Sequence, residues 1–124
     1  MNLKTYEILQ LKDTADNRPR MFHPMRVLLA QGLDTPRLDQ YKSVYIGNGI
    51  FTGQETLYLE DLSDADTSEV LERIFAMFNV YHPMDFHGHS LSVGDVVALK
   101  ADDSARYYYV DDIGFKELPM FEAK

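Results

Sequence analysis

The chain has 124 residues, of which 45% are hydrophobic and 26% are charged, a composition typical of a globular protein with one core. It contains no cysteine, which excludes disulfides, zinc–thiolate sites and cysteine nucleophiles and favours a reducing compartment. Its net charge of −8 repels phosphate backbones, so we do not expect nucleic acid as a partner.

We interpret residues 1–124 as a single domain, because no linker, repeat or low-complexity tract interrupts them. The N-terminal stretch "MNLKTYEILQLK" lacks the apolar region and cleavage site of a signal peptide. No stretch approaches the roughly 18 apolar residues of a membrane span. We therefore expect a soluble, cytoplasmic protein without a membrane partner.

The N-terminal third predicts one strand and one short helix. "TYEILQLK", Thr5 to Lys12, has apolar residues on both faces and predicts an inner strand. "HPMRVLLAQG" predicts a short helix over about 24–31, with Pro24 in the first turn and Gly32 as its stop. A further helical turn could follow Thr35 and Pro36.

A glycine-rich segment follows, and its spacing separates two interpretations. Gly47, Gly49 and Gly53 form G-x-G-x-x-x-G between two β-like runs, "SVYI" and "ETLYLEDL". A dinucleotide site needs its last glycine one position earlier and a helix after it, so the segment does not fit. We predict a β-hairpin with a Gly/Asn turn.

The clearest predicted element is a helix over about 67–79. Its apolar residues follow the i, i+3, i+4, i+7 pattern: Leu71, Ile74, Phe75 and Phe78. Asp66 is placed to cap the first turn with Glu69 as the partner acid of a capping box, and Glu69 can pair with Arg73.

The C-terminal third predicts an antiparallel hairpin. "SVGDVVALK" and "RYYYVDDIGFKEL" are separated by the turn formers "ADDSA", and the second strand can break near Asp112 to Gly114. Alternation sends Tyr108 to the face opposite Tyr107 and Tyr109, which favours sheet residues over an aromatic ligand platform. The fold class is α+β, with a small, largely antiparallel sheet for which a barrel-like closure is one alternative.

Six segments together carry a family resemblance. They are "TYEILQLK", "RMF", "YKSVYIG", "LERIFAMFN", "HPMDFHGHSLSVGDVVAL" and "YYYVDDIGFKELPMF". In this order they resemble the YodL-like domain of Gram-positive bacteria, which is often encoded on conjugative and other mobile elements. The resemblance implies an intracellular accessory domain with no established catalytic activity. We expect no cofactor. The chain departs from that pattern at His87 and Gly94, which weakens any mechanism that needs His87.

The segment "HPMDFHGHSLSVGDVV" is the main candidate for chemistry. If "HGH" were extended, His87 and His89 would project to the same side and, with His82 or Asp85, could chelate a metal. This is the alternative of a small metal-dependent enzyme. The interpretation that we favour is a polar loop that leads into a strand, with no metal.

The same segment contains "GHSLSVGD", which does not match a serine-nucleophile motif. Ser92 occupies the place of the final glycine in G-x-S-x-G, and Ser90, His89 and Asp95 lie too close in sequence for a triad. We predict that the serines bond backbone groups at the strand entry. Gly94 then supplies backbone freedom and Asp95 accepts an amide proton.

Two further surfaces suggest partners. The acidic run comprises Glu60, Asp61, Asp64, Asp66, Glu69 and Glu72. It could imitate DNA phosphates, as in an antirestriction-type mimic, or it could simply favour the helix N-terminus. An apolar group near the C-terminus comprises Phe115, Leu118, Met120 and Phe121. It either closes the core or forms a protein interface.

The leading hypothesis is a non-catalytic accessory domain that binds another protein of unknown identity and is linked to mobile genetic elements. The metal-dependent enzyme and the acidic DNA mimic are the alternatives.

Overall fold

The protein is described by a computed structural model, which places residues 3–33, 37–62, 65–86 and 88–119. The elements are β1 Thr5–Leu11, α1 Met25–Ala30, a 3₁₀ turn Leu38–Gln40, β2 Tyr41–Gly47, β3 Gly49–Phe51, β4 Thr56–Tyr58, a 3₁₀ turn Leu59–Leu62, α2 Thr67–Val80, β5 Val96–Lys100, β6 Ala105–Val110 and β7 Phe115–Glu117. The α+β class and both predicted helices are confirmed. The extra turn expected after Thr35 and Pro36 is a 3₁₀ turn, and those two residues lie outside the described ranges.

The main sheet has five strands in the order β2-β1-β5-β6-β7, and all its pairs are antiparallel. β3 and β4 form a separate two-stranded hairpin. The barrel-like alternative is wrong, because β2 and β7 are edge strands that do not pair with each other. Helices cover both faces of the sheet, so its apolar side chains are buried without closure.

β1 lies inside the sheet, as predicted, and contributes apolar side chains to both faces. Tyr6 and Ile8 pack in the core on the α2 side, whereas Leu9 and Leu11 pack in the core on the α1 side. This alternation is the period of two expected of a strand buried on both faces. Gln10, on the same face as Tyr6 and Ile8, is also fully buried.

α2 packs its apolar stripe on one face of the sheet. The buried residues are Val70, Leu71, Ile74, Met77 and Phe78. At its start, the Asp66 side chain accepts a hydrogen bond of 3.0 Å from the amide of Ser68, which confirms the predicted cap. The predicted Glu69–Arg73 pair is also present, with 3.2 Å between Oε1 and Nη2.

The predicted hairpin at the Gly/Asn turn is wrong. β2 ends at Gly47 and pairs with β1, and the hairpin forms between β3 and β4 instead. Gly53, with a φ of +94°, lies in the turn between β3 and β4, whereas Gly47 serves a close approach. A Cβ on Gly47 would lie 2.9 Å from the hydroxyl of Tyr6. That hydroxyl donates a hydrogen bond of 2.8 Å to the carbonyl of Gly49.

The predicted C-terminal hairpin is confirmed as β5–β6, and the predicted break separates β6 from β7. Tyr108 packs on the α2 side of the sheet, whereas Tyr107 and Tyr109 pack on the α1 side. The three tyrosines are therefore sheet residues, as expected from their alternation.

Candidate functional site

The histidine segment, residues 82–95, connects α2 to β5. His82 Nδ1 lies 3.2 Å from the carbonyl oxygen of Pro83, and His89 Nδ1 lies 2.8 Å from that of Ser90. Each of these rings thus contacts the backbone of its own neighbour, and His87 lies outside the described residues. In the part of the chain that the structure describes, no three His, Cys, Asp or Glu side chains are grouped so that they could hold a metal ion.

A buried glutamine from β1 holds the histidine segment against the sheet. Gln10 Nε2 donates hydrogen bonds to the carbonyl oxygen of His89, at 2.8 Å, and to Oδ2 of Asp95, at 3.2 Å. Gln10 Nε2 also lies 3.2 Å from Nδ1 of His89. Gly88 provides the space for this side chain, because a Cβ there would collide with Gln10 Oε1.

Asp95 is 3% exposed and is the most perturbed carboxyl among the described residues. Its Oδ2 also accepts a hydrogen bond of 2.8 Å from the amide of Ser92, as predicted. Burial raises the pKa of Asp95 to about 8, although the bonds from Ser92 and Gln10 act in the opposite direction. The carboxyl is therefore largely protonated at neutral pH.

His89 lies beside this carboxyl, with 3.7 Å between its Nε2 and Asp95 Oδ1. That separation is too long for a hydrogen bond. The adjacent cleft, lined by Leu11, Met21, Phe22 and His89, has no space for a water molecule. The side chain of His89 is 37% exposed, whereas that of Asp95 is 5% exposed.

Two backbone conformations close the cleft. Gly94 has a φ of +100°, which confirms its predicted need for backbone freedom, and a Cβ there would lie 3.2 Å from the amide nitrogen of Phe22. Phe22 itself has a φ of +64°, which is unfavourable for a bulky residue. Its ring lies 5.2 Å from the ring of His89. The "RMF" stretch therefore folds over the end of the histidine segment.

The predicted C-terminal apolar group is divided between the two sides of the sheet. Phe115 is half-buried, with its ring 6.2 Å from that of Phe75 on α2. Leu118 is buried in the core on the α1 side. Met120 and Phe121 lie outside the described residues, so the predicted interface that includes them stays a prediction.

The acidic run has local structural partners at several positions. Asp66 caps α2 and Glu69 pairs with Arg73, as described above. Glu60 lies 3.8 Å from the ammonium of Lys4. Asp64 lies outside the described residues. The run is thus partly used by the fold, as expected for acids near a helix N-terminus.

An apolar groove lies between the C-terminal half of α2 and the β3–β4 hairpin, where the sequence analysis placed no site. We call it the α2 groove, and its volume is about 220 Å³. It is lined by Phe51, Thr52, Arg73, Ala76, Met77, Val80 and Tyr81. The residues Phe51, Val80 and Tyr81 are 41%, 64% and 47% exposed, which is unusual for neighbouring large apolar residues.

The α2 groove is held in shape by contacts between its two walls. The amide of Phe51 donates a hydrogen bond of 3.1 Å to Sδ of Met77, which joins β3 to α2. The rings of Phe51 and Tyr81 meet edge to face at 5.5 Å. Gly53, with a φ of +94°, admits Tyr81, whose hydroxyl would lie 2.8 Å from a Cβ at that position. The groove is therefore preformed.

The family model of the YodL-like domain matches residues 5–121. The chain belongs to the YodL-like domain family. Over 59 residues it is also 30% identical to "Uncharacterized protein YodL" of Bacillus subtilis (strain 168), a match that covers 46% of this chain and 57% of that protein. No solved structure matches.

One further observation completes the description of this YodL-like domain. No helix within the described ranges is both long enough and apolar enough to span a membrane.

The sequence analysis did not predict roles for Gln10, Phe22 or the α2 groove. Gln10 could have been found, because a polar residue on the buried face of a strand needs a hydrogen-bond partner. The groove could not, because its walls are about 25 residues apart in sequence.

Proposed function

We propose that this YodL-like domain is a non-catalytic accessory module that binds another protein through the α2 groove. The proposal includes a role linked to mobile genetic elements, and that part rests on the family resemblance alone. The partner is a protein rather than nucleic acid, because a chain with a net charge of −8 repels phosphate backbones.

The observation that carries the proposal is the cluster of Phe51, Val80 and Tyr81 around a preformed groove. Contact between water and large apolar side chains is unfavourable. Binding of a partner that covers these side chains therefore lowers the free energy. Aromatic residues that are already fixed in place lose little conformational entropy on binding, which is why they dominate interface energies.

The polar cluster at Gln10, His89 and Asp95 supports a scaffold role instead. Its bonds join β1 to the histidine segment, and its cleft has no space for a reactant. The available apolar surface and the closed polar cluster together favour binding over catalysis.

The test is co-purification from the native host with tagged wild type and two variants. Val80→Asp places a charge in the α2 groove. Leu29→Asp places the same charge at a residue that is 56% exposed on α1, across the sheet. Both residues lie near the C-terminal end of a helix, so the two substitutions carry similar intrinsic costs.

We expect Val80→Asp to remove a defined, stoichiometric partner that wild type and Leu29→Asp retain. Quantitative mass spectrometry of the eluates measures the change, and far-UV circular dichroism checks that both variants fold. If wild type recovers no stoichiometric partner, or if Val80→Asp keeps it, the groove is not the binding site and the proposal fails.

A further inference from the structure

The exposed side of α2 changes character along its length. Its first half carries Glu69 and Glu72, whereas its second half carries the groove residues Ala76 and Val80. Glu72, Ala76 and Val80 are spaced by four residues and therefore form one stripe on the helix surface. The stripe is about 12 Å long at 1.5 Å per residue. An acidic surface thus continues directly into the apolar groove.

Among the described residues that line the groove, Arg73 is the basic one. It is paired with Glu69 at 3.2 Å, so these two charges offset each other and Glu72 is left as the acid beside the groove. Glu72, which directly precedes Arg73 in α2, is exposed. Glu72 lies one helical turn before Ala76, which lines the groove, so a segment that extends from the groove toward the start of α2 comes close to that carboxylate.

We infer that the α2 groove binds a basic amphipathic segment of a partner protein, with an apolar anchor against Met77 and Val80 and a Lys or Arg over Glu72. The inference rests on the proposed function and adds the chemistry of the partner. Opposite charges at the rim of an interface speed association and select the partner.

Charge also decides against two other occupants. A second copy of the chain would bring a net charge of −8 against −8, which opposes self-association through this surface. An anionic membrane surface would be repelled by the same acidic stripe. A basic protein segment meets both the apolar and the acidic part of the surface.

The test uses a fluorescein-labelled synthetic peptide with leucines at i, i+4 and i+7 and lysines at the other positions. Two companion peptides replace all lysines by glutamate or all leucines by glutamine. Binding to the full chain is measured by fluorescence anisotropy. We expect the Leu/Lys peptide to bind, with affinity falling between about 0.05 M and about 0.5 M salt, and the companion peptides to bind at least about tenfold more weakly.

Two charge reversals separate the local effect from net charge. Glu72→Lys and Asp103→Lys both raise the net charge of the chain by two, but Asp103 lies in the exposed turn between β5 and β6. We expect Glu72→Lys to weaken the Leu/Lys peptide at least about tenfold and Asp103→Lys less than about twofold. Equal weakening by the two variants would mean that bulk charge attracts the peptide, and it would overturn the inference.

The remaining outcomes distinguish this inference from the proposed function. One outcome is that the peptide with glutamate in place of lysine binds more tightly than the Leu/Lys peptide and that Val80→Asp abolishes its binding. In that case the groove binds protein but the inferred partner chemistry is wrong. If sedimentation shows a dimer that Val80→Asp dissociates, or if vesicles with anionic lipid bind wild type and not Val80→Asp, the occupant is a second copy or a membrane and the inference is overturned.

Discussion

The histidine segment and the α2 groove differ in what the fold leaves available. Ser92 and Asp95 of the histidine segment and Gln10 of β1 bond one another or the backbone, and the neighbouring cleft has no space for a water molecule. In the groove, Phe51 and Val80 remain exposed although the groove is already formed. The side chains with the most reactive residue types are therefore bonded within the fold, whereas ordinary apolar side chains form the exposed groove that we propose as the binding surface.

The difference follows from the cost of burying each kind of group. A buried polar group that lacks a hydrogen bond is destabilising, so the fold builds partners for it and thereby removes it from the surface. An exposed apolar side chain costs less, so it can remain on the surface of a stable protein until a partner covers it. The chemical reactivity of a residue type is thus a poor guide to whether its side chain is exposed to a partner or a reactant.

The largest expected effect concerns the pH dependence of folding. The pKa of Asp95 rises from an unfolded value of 3.8 to about 8 in the folded protein. The folded state holds the proton more tightly, so this carboxyl stabilises the fold below pH 3.8 and loses that contribution as the pH rises through about 8. At roughly 1.4 kcal/mol per pKa unit, the loss is at most about 6 kcal/mol.

Urea unfolding of wild type and Asp95→Asn between about pH 5.5 and about pH 8.5 measures this effect. The asparagine stays neutral and its carbonyl can still accept from Ser92, so the free energy of unfolding should vary less with pH than in wild type. The stability of the variant relative to wild type should therefore increase with pH. A constant difference across the range would show that Asp95 is not the titrating group.

The second effect tests whether the histidine segment depends on Gln10. Gln10→Met keeps most of the side-chain volume but removes both hydrogen bonds, which leaves the carbonyl of His89 and Asp95 without this donor. We expect a loss of about 2 to 3 kcal/mol in the free energy of unfolding. Gln31→Met, at an exposed position, is the matched control and should change stability by less than about 0.5 kcal/mol. Similar values for the two variants would contradict a scaffold role.

The third effect concerns the shape of the α2 groove. Gly53→Ala meets both an unfavourable φ of +94° and the hydroxyl of Tyr81. Gly32→Ala meets a φ of +77° with no atom within 4 Å, so it isolates the backbone cost. We expect about 1 kcal/mol of destabilisation for Gly32→Ala and about 2 kcal/mol for Gly53→Ala in urea unfolding. Equal losses would mean that Tyr81 moves aside freely and that the groove is not rigid.

The smallest expected effect on stability is that of Val80→Asp. Val80 is 64% exposed at the end of α2, so Val80→Asp should lower the free energy of unfolding by less than about 1 kcal/mol. The same substitution should remove partner binding. Thermal unfolding measured beside the co-purification experiment tests both statements. A loss of several kcal/mol would instead make Val80 part of the core and would weaken the case for a binding surface.

Local patterns predicted much of the fold. The helix α2, its cap at Asp66 and the Glu69–Arg73 pair follow from spacing within one segment. The inner position of β1 and the alternation of Tyr107, Tyr108 and Tyr109 follow from the period of a strand. Each of these features depends on residues that are close in sequence, so the sequence alone predicts them.

The role of Gly47 was harder to predict, because a glycine at the end of a strand can serve either a turn or the close approach of another side chain. The approach of Tyr6 to Gly47 decides between these two roles, and the two residues are distant in the chain. Likewise, the glycine at position 94 was correctly placed in a turn, but its contact with Phe22 was not visible from the sequence.

By itself, the sequence determined the α+β class, the two helices, the strand periodicity, the negative charge and the family resemblance. Only the tertiary structure decided that the sheet stays open, that Gln10 and Asp95 hold the histidine segment closed, and that Phe51, Val80 and Tyr81 share one groove. The reason is physical: periodicity and charge are properties of neighbouring residues, whereas burial and availability depend on which distant segments pack together.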